Sequence, residues 1–184
     1  MIIKIALINK GHIVALKGLG GFHIVCDATN TKAVELLRQR KKRPVKPLAV
    51  MFKNIDEIDK YAKPTSLERE HLNSKEKPIV LIDKIKKSPL SEEVAPYISK
   101  IGCFLPYTPL HHILFKYLKN PVVATSANLK DEPIIRFKDE VIKKLDFVVD
   151  YVLDFNREIV NACDDSVIHL INDNVSKLRN ARGY

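Results

Sequence analysis

The sequence predicts an α/β domain built on a twisted, mixed sheet, and three observations carry that prediction. Short apolar runs of strand character alternate with segments whose apolar residues recur at helical spacing, with no internal repeat or low-complexity stretch between them. The 184 residues, 46% of them hydrophobic, suffice for one sizeable core, so residues 1–184 are expected to form a single domain. Several strand-like runs also begin or end at glycine, hydroxyl or cation clusters, the kind of group that collects at the ligand-bearing ends of open α/β sheets.

Each element has its own warrant. Residues 2–9 put Ile2, Ile5 and Ala6 at helical spacing and stop at Lys10-Gly11, after which Ile13 to Leu16 reads as a strand entering a glycine cluster. Asn30 is placed to cap a helix with Ala33, Val34 and Leu37 inward and Arg38 and Lys41 near its C-terminus, where the helix dipole favours cations. Leu48 to Phe52 is an apolar strand. Asn54 caps a helix through Ala62, and Thr65 with Glu68 forms the capping-box pattern of the next. Pro78 to Asp83 is a strand, followed by a connector containing Lys, Ser and Pro, and Ile98 to Leu105 is the next strand. It runs into PYTPLHHILFKYL, where Thr108 is an N-cap, Pro109 takes the first helical position, and Leu110, Ile113, Leu114 and Tyr117 supply the apolar face. Val122 to Thr125 is a short buried strand, and Lys138 to Leu145 a helix with Val141 and Leu145 inward. Phe147 to Leu153 is strand-like, and Val167 to Ile171, the turn Asn172-Asp173-Asn174 and Val175 to Leu178 make a terminal hairpin.

The charge is uneven. Thirty-one basic against 22 acidic residues give a net +9, which suits phosphate ligands, nucleic acid or acidic partners. Part of the excess lies in RQRKKRPVKPLAVMF, with Arg38, Arg40, Lys41, Lys42, Arg43 and Lys46 just before a buried strand. Pro44 and Pro47 exclude helix from the residues before them, so Arg43 and Lys46 are expected to be held extended. A solvated helix end is the ordinary fate of such a run. A non-catalytic RNA-binding module is one reading of the charge, but aromatics are 7%, tryptophan is absent, and the basic run has no interleaved stacking platform.

Two other segments are candidates for chemistry. KGLGGFHIVCDATN crowds Gly18, Gly20 and Gly21 after a strand, where backbone N–H groups can face a small anion or carbonyl, although a tight turn with no ligand is the competing reading. His23 stands where a dinucleotide fingerprint needs its third glycine, and no GxxxxGK[ST] run occurs, so the Rossmann and P-loop readings fail. His23 itself is open to a structural or an active-site role. PVVATSANLKDEPI sets Thr125, Ser126 and Asn128 at a strand end, where hydroxyls and an amide can bind phosphate oxygens or merely complete a cap.

The remaining titratable groups are less telling. Asp164 and Asp165 can hold Mg²⁺ through water, but adjacent carboxylates in a turn more often accept from backbone donors. His111 and His112, neighbours on a helix, do not face one metal. Cys26, Cys103 and Cys163 lie far apart without CxxC spacing, which points to reduced cysteines in a cytoplasmic protein and against a disulfide framework or zinc site. No apolar run approaches the length of a membrane span. A cationic clamp, a glycine-lined pocket and a strand-end hydroxyl cluster together suggest phosphate activation by positioning and electrostatics.

KGLGGFHIVCDATN, RKKRPVKPLAVMF, IGCFLPYTPLHHILF, TSANLKDEPI and CDDSV, in that order, resemble the YrdC-like domain of HypF-type carbamoyltransferases of NiFe-hydrogenase maturation, over nearly the whole chain. YrdC-like relatives that make threonylcarbamoyl-adenylate for tRNA modification share the KxR…KP and SxN elements. They typically carry a PTxTxYGL-type segment in place of KGLGGFHI and lack the PYTPLHH wording, so the hydrogenase branch is favoured and the threonine enzyme is the alternative. Ala162 before CDDSV and the alanine in TSAN depart from the commoner pattern.

The resemblance implies an open twisted sheet, with helices around a positively charged concave cavity, and ATP with Mg²⁺ as cofactors, no protein metal site being assigned. Carbamate derived from carbamoyl phosphate would attack the α-phosphorus of ATP to give carbamoyl-adenylate. The carbamoyl group would pass by a transferase domain to the terminal cysteine of a HypE-type partner, on the way to cyanide ligands. By matched position, Lys41, Arg43 and Lys46 would bind the triphosphate, with Lys41 and Arg43 neutralising developing charge, and Ser126 and Asn128 would meet the nucleotide phosphates. Gly20, Gly21, Phe22 and His23 would shape the carbamoyl pocket, and Arg182 would approach the adenylate. The family's acylphosphatase-like, zinc-binding and C-terminal transferase domains have no counterpart in these residues, so the chain is expected to need them in trans or in a parent polypeptide.

Overall fold

A computed structural model describes residues 2–129 and 132–184. Among them, nine strands form a single open sheet: β1 Val14–Lys17, β2 Phe22–Asp27, β3 Ala49–Met51, β4 Ile79–Asp83, β5 Lys100–Phe104, β6 Val122–Ser126, β7 Tyr151–Leu153, β8 Val167–Ile171 and β9 Asn174–Arg179. Their spatial order is β7-β1-β2-β6-β3-β5-β4-β8-β9. The sheet is mixed as expected: β1 with β7, β3 with β5 and β4 with β8 run parallel, and the other neighbours antiparallel.

The helices are α1 Ile2–Ile8, α2 Thr31–Lys41, α3 Ile55–Ile58, α4 Ser66–Asn73, α5 Pro109–Tyr117 and α6 Lys138–Leu145. They bury two hydrophobic clusters against the sheet. One joins Val34 and Leu37 of α2, Leu72 of α4 and Val141 and Leu145 of α6 to Ile24, Cys26, Val50 and Val123. The other joins Ile5 and Ile8 of α1 and Leu110, Leu114 and Phe115 of α5 to Val25, Met51, Val122 and Ala124. Ile24 and Val25 fall in different clusters because successive strand residues point to opposite faces.

Burial on both faces masks β2 in the sequence. FHIVCD is buried throughout, so it shows no polar alternation, yet it is a central strand paired with β1 and β6. The caps are where the sequence puts them: Asn30, Asn54, Thr65 and Thr108 each accept a backbone N–H of the first turn, and Thr65 with Glu68 completes the capping box. Such a cap is worth about 1 kcal/mol.

Four details differ. The helix begun at Asn54 spans only Ile55–Ile58 before passing into a turn. The expected strand from Phe147 is confined to Tyr151–Leu153, because Val148 and Val149 still donate to the Leu145 carbonyl at the end of α6. On α5 the buried face is Leu110, His111, Leu114 and Phe115, leaving Tyr117 42% exposed. A 3-10 turn at Glu92–Val94 interrupts the connector after β4.

Candidate functional site

The basic segment is built from the end of α2. Lys42 takes the left-handed conformation, φ 50° and ψ 45°, and its N–H closes onto the carbonyls of Arg38 and Gln39. The chain then bends through residues 44–46 instead of running extended. Arg38 is the reason. Its guanidinium is only 5% exposed and donates to the carbonyls of Arg43 at 2.8 Å, Lys46 at 3.2 Å, Pro44 and Val94 at 3.3 Å, and Glu93. A side chain read as one cation among six is therefore the internal template of the loop, and its burial is foreshadowed by the helical spacing that also puts Val34 and Leu37 inward.

Two cations of this loop meet the end of β6. Lys41 Nζ donates to the Ser126 carbonyl at 2.7 Å and the Asn128 carbonyl at 3.2 Å, and lies 3.4 Å from Asn128 Oδ1. Arg43 Nη1 donates to Thr125 Oγ1 at 3.0 Å, while its other donors hold the carbonyls of Lys46 at 3.2 Å and Pro47 at 2.6 Å. Ser126 Oγ donates to Asn128 Oδ1 at 2.9 Å, and Asn128 Nδ2 donates to the Glu132 carbonyl at 2.8 Å. The KxR and SxN elements, far apart in sequence, thus form one unit, with Lys46 beside it as an exposed cation.

The unit concentrates positive charge. Burial, then Arg43 and Lys46, push the Lys41 pKa down to about 8 against a smaller opposing pull from Asp164. Burial, then Arg38 and Arg179, push Arg43 down to about 10. Asp164 and Arg179, both in the C-terminal segment, are thus close enough to act on the clamp. Like charges pressed together in a half-buried loop are destabilising alone, and an incoming polyanion relieves them.

The glycines form a tight turn between β1 and β2, closed by the Gly18 N–H donating to the Gly21 carbonyl at 2.8 Å. A Cβ on Gly20 would stand 2.3 Å from the Cys163 carbonyl oxygen, and one on Gly21 2.4 Å from the Ile134 side chain, so close packing demands glycine at both. Phe22 is fully buried, donates its N–H to the Ile135 carbonyl and accepts from Ala127. His23 pairs in register with Ser126 across β2 and β6, which brings the glycine turn and the SxN turn to the same end of the sheet.

Behind His23 lies a buried polar cluster. Its Nε2 is 3.7 Å from Asp165 Oδ2, and its ring stacks on that of His111 at 6.3 Å. Arg182 donates to Asp165 Oδ1 from Nε at 3.2 Å and Nη2 at 3.0 Å, and to the carbonyls of Glu76 at 2.8 Å and Lys77 at 3.0 Å. Its guanidinium also covers the Tyr107 ring at 3.9 Å, and the Tyr107 hydroxyl donates to Asp165 Oδ2 at 3.2 Å. The structure thus commits Arg182 to protein groups around Asp165. Tyr107 and Asp165 are functional candidates that the sequence left unassigned, the doublet at 164–165 being the visible signal. Burial, then His23, His112 and Arg182, lower the His111 pKa to about 3 and keep the ring neutral.

Other features narrow the chemistry. Cys26 and Cys103 are buried thiols whose pKa values burial raises, so neither is an activated nucleophile. Among the described residues, no group of three or more His, Cys, Asp or Glu side chains is arranged to hold a metal ion. His112 is exposed while His111 is buried, so the two do diverge. No described helix is long and apolar enough to cross a membrane. Two open concavities, of about 410 Å³ and 290 Å³, share Arg136 and Phe137 and lie on the side of Ile134 and α6, apart from the Lys41–Arg43 clamp.

An open mixed sheet whose α2 loop sets two cations on a Ser-x-Asn turn, beside a glycine turn, defines a YrdC-like α/β domain. The chain belongs to the Sua5/YciO/YrdC family, whose model, described as telomere recombination, matches residues 6–181. Within it the chain is closely related to the YrdC-like domain of HypF. It is 48% identical over 177 residues to the carbamoyltransferase HypF of Synechocystis sp., covering 96% of this chain and 23% of that protein. It matches the crystal structure of full-length HypF in the phosphate- and nucleotide-bound form with a TM-score of 0.96 at 39% identity, covering 100% of this chain and 29% of that one. A putative threonylcarbamoyl-AMP synthase of Methanocaldococcus jannaschii is 29% identical over 157 residues, covering 81% of this chain and 73% of that protein. The chain spans about a quarter of the length of the curated carbamoyltransferases it matches.

Proposed function

We propose that this domain forms carbamoyl-adenylate from carbamate and ATP, as a step of carbamoyl transfer in NiFe-hydrogenase maturation. The observation that carries the reading is the seating of Lys41 on Ser126 and Asn128, which joins the cationic loop and the SxN turn into one half-buried anion site. Kinship to HypF supports the choice of substrate.

In this reaction a carboxylate oxygen of carbamate forms a bond to the α-phosphorus of ATP while the bond from that phosphorus to the β-phosphate bridge oxygen breaks, releasing pyrophosphate. Carbamate is already ionised, so no general base is required. Lys41, Arg43 and Lys46 bind the phosphates and neutralise the charge that develops on the leaving group. Mg²⁺ would enter on the phosphates and water, in keeping with the few protein ligands this ion usually takes from nucleotide sites, while Asp165 is already engaged with Arg182 and Tyr107.

The product is a reactive mixed anhydride, and water competes for it unless it is sheltered. We therefore place the domain in the cytoplasm with a transferase domain and a HypE-type cysteine acceptor as partners. The test is carbamate-dependent ATP–pyrophosphate exchange with Mg²⁺, using ammonium carbamate and carbamoyl phosphate in separate assays. Lys41→Ala or Arg43→Ala should weaken ATP binding by roughly 1.5–3 kcal/mol per lost charge-assisted contact. No exchange with either donor would overturn the assignment. Threonylcarbamoyl-adenylate formation is the second reading, favoured by the relative at 29% identity, and L-threonine-dependent pyrophosphate release with bicarbonate and ATP would establish it.

A further inference from the structure

His23 is 6% exposed, and its Nδ1 is a buried nitrogen without a hydrogen-bond partner. The two edges of the ring face different things. A Cβ placed on Gly18 would lie 3.5 Å from His23 Cε1 and 3.6 Å from Nδ1, so the unpartnered edge lies against the glycine turn. The other edge looks at Asp165, with Nε2 3.7 Å from Oδ2, beyond hydrogen-bond length but within ion-pair reach.

Asp165 is not free to turn away. Arg182 holds Oδ1 with two donors, Tyr107 donates to Oδ2, and Arg182 is itself anchored on the carbonyls of Glu76 and Lys77. A carboxylate fixed beside Nε2 favours the tautomer with its proton there, leaving Nδ1 as an acceptor. A buried acceptor aimed at a glycine turn and left unpaired is suited to a small ligand that brings an N–H. The walls leave little room, since Gly20 packs on the Cys163 backbone and Gly21 on Ile134.

Resting on the carbamate reading above, we infer that His23 Nδ1 accepts an N–H of the carbamoyl amino group, and that Asp165, fixed by Arg182 and Tyr107, is the positioning residue that directs the proton of the neutral ring to Nε2. The site then selects carbamate over acetate, its isostere with a methyl group in place of the amino group. This gives the Asp165–Arg182 pair a task at one remove from the nucleotide.

The experiment compares ATP–pyrophosphate exchange driven by ammonium carbamate with exchange driven by acetate, in the wild type and in His23→Leu, Asp165→Asn and His23→Gln, with ATP Kd measured for each. His23→Leu and Asp165→Asn should lower the preference for carbamate by about tenfold, the factor one lost hydrogen bond commands, through a raised KM for carbamate at unchanged ATP Kd. His23→Gln, which keeps an acceptor, should retain most of the preference. Nitrogen-15 spectra of the wild-type imidazole should show the proton on Nε2 and an Nδ1 signal that moves with carbamate but not with acetate, a readout independent of how the variants fold. A proton on Nδ1, or an unchanged preference in His23→Leu at wild-type ATP Kd, overturns the inference alone. Absence of carbamate-dependent exchange in the wild type overturns the reaction assignment and this inference with it.

Discussion

Lys41, the proposed triphosphate ligand, should tie nucleotide affinity to pH. Its ammonium is pushed down to about 8 by burial and by the charges of Arg43 and Lys46, and a bound triphosphate would return it toward the ordinary lysine value of about 10.5. Binding then takes up a proton wherever free Lys41 is neutral, so affinity falls as pH rises through about 8 and levels off near the bound value. Between about pH 7.5 and 9.5 the protonated fraction of the free site falls some 25-fold, and allowing for the onset of titration in the complex the expected loss of ATP affinity is roughly 20-fold, or about 1.8 kcal/mol. Calorimetric titration of ATP·Mg²⁺ across that range, in buffers of two ionisation enthalpies, measures both the affinity and the proton uptake. Lys41→Arg should flatten the profile, because a guanidinium stays charged in that interval. A wild-type profile flat to within twofold, or one that survives unchanged in Lys41→Met, would refute the reasoning.

The other predictions concern the scaffold. Arg38→Met leaves the carbonyls of Arg43, Pro44, Lys46 and Val94 without their buried donor, so urea unfolding should show a loss of about 3 kcal/mol or more and ATP binding should weaken with the loosened loop; an unchanged midpoint would deny Arg38 its templating role. His111 has a folded pKa near 3 against an unfolded value near 6.5, so the unfolded chain binds a proton that the folded chain refuses, and stability drops as pH falls from about 6.5 toward 3. At about pH 4.5 that costs roughly 2–3 kcal/mol, which His111→Leu should abolish; equal acid sensitivity in both proteins would place the titration elsewhere.

Much of the fold was legible because the relevant forces are local. Asn30, Thr65 and Thr108 announce helix starts through a hydrogen bond that spans only three residues, and all three make it. The spacing of Val141 and Leu145 fixed the inward face of α6 in the same way. The central strand β2 was not legible, because a strand covered by α2 on one face and α1 on the other is buried at every position, His23 and Asp27 included, and shows no apolar–polar period. The bend at residues 44–46 was hidden for a different reason. Two prolines argued for an extended path, but a guanidinium inside the loop gathers its carbonyls, and nothing at Arg38 itself states what its donors will find.

The site shows the same division with sharper consequences. Lys41, Arg43, Ser126 and Asn128 were nameable from their wording, and the structure brings these four together at the end of β6. Their meeting depends on a crossover that inserts β6 between β2 and β3, a non-local choice set by the whole sheet. Arg182 shows what wording omits. Its place in the terminal RGY suggests a residue near the adenylate, and the structure adds contacts the wording does not state, packing it on Tyr107 and binding it to Asp165. Residues that touch a ligand and residues that orient those contacts leave the same trace in a motif; only the partner list separates them. On the proposed function the direct contacts would fall to the α2 loop and the β6 turn, and the orienting contacts to the segment from Asp164 to Arg182, in which Asp164 and Arg179 also act on Lys41 and Arg43. Within that segment, changes at Asp164 or Arg179 should therefore alter nucleotide affinity through Lys41 and Arg43, whereas a change at Asp165 should alter pocket selectivity alone.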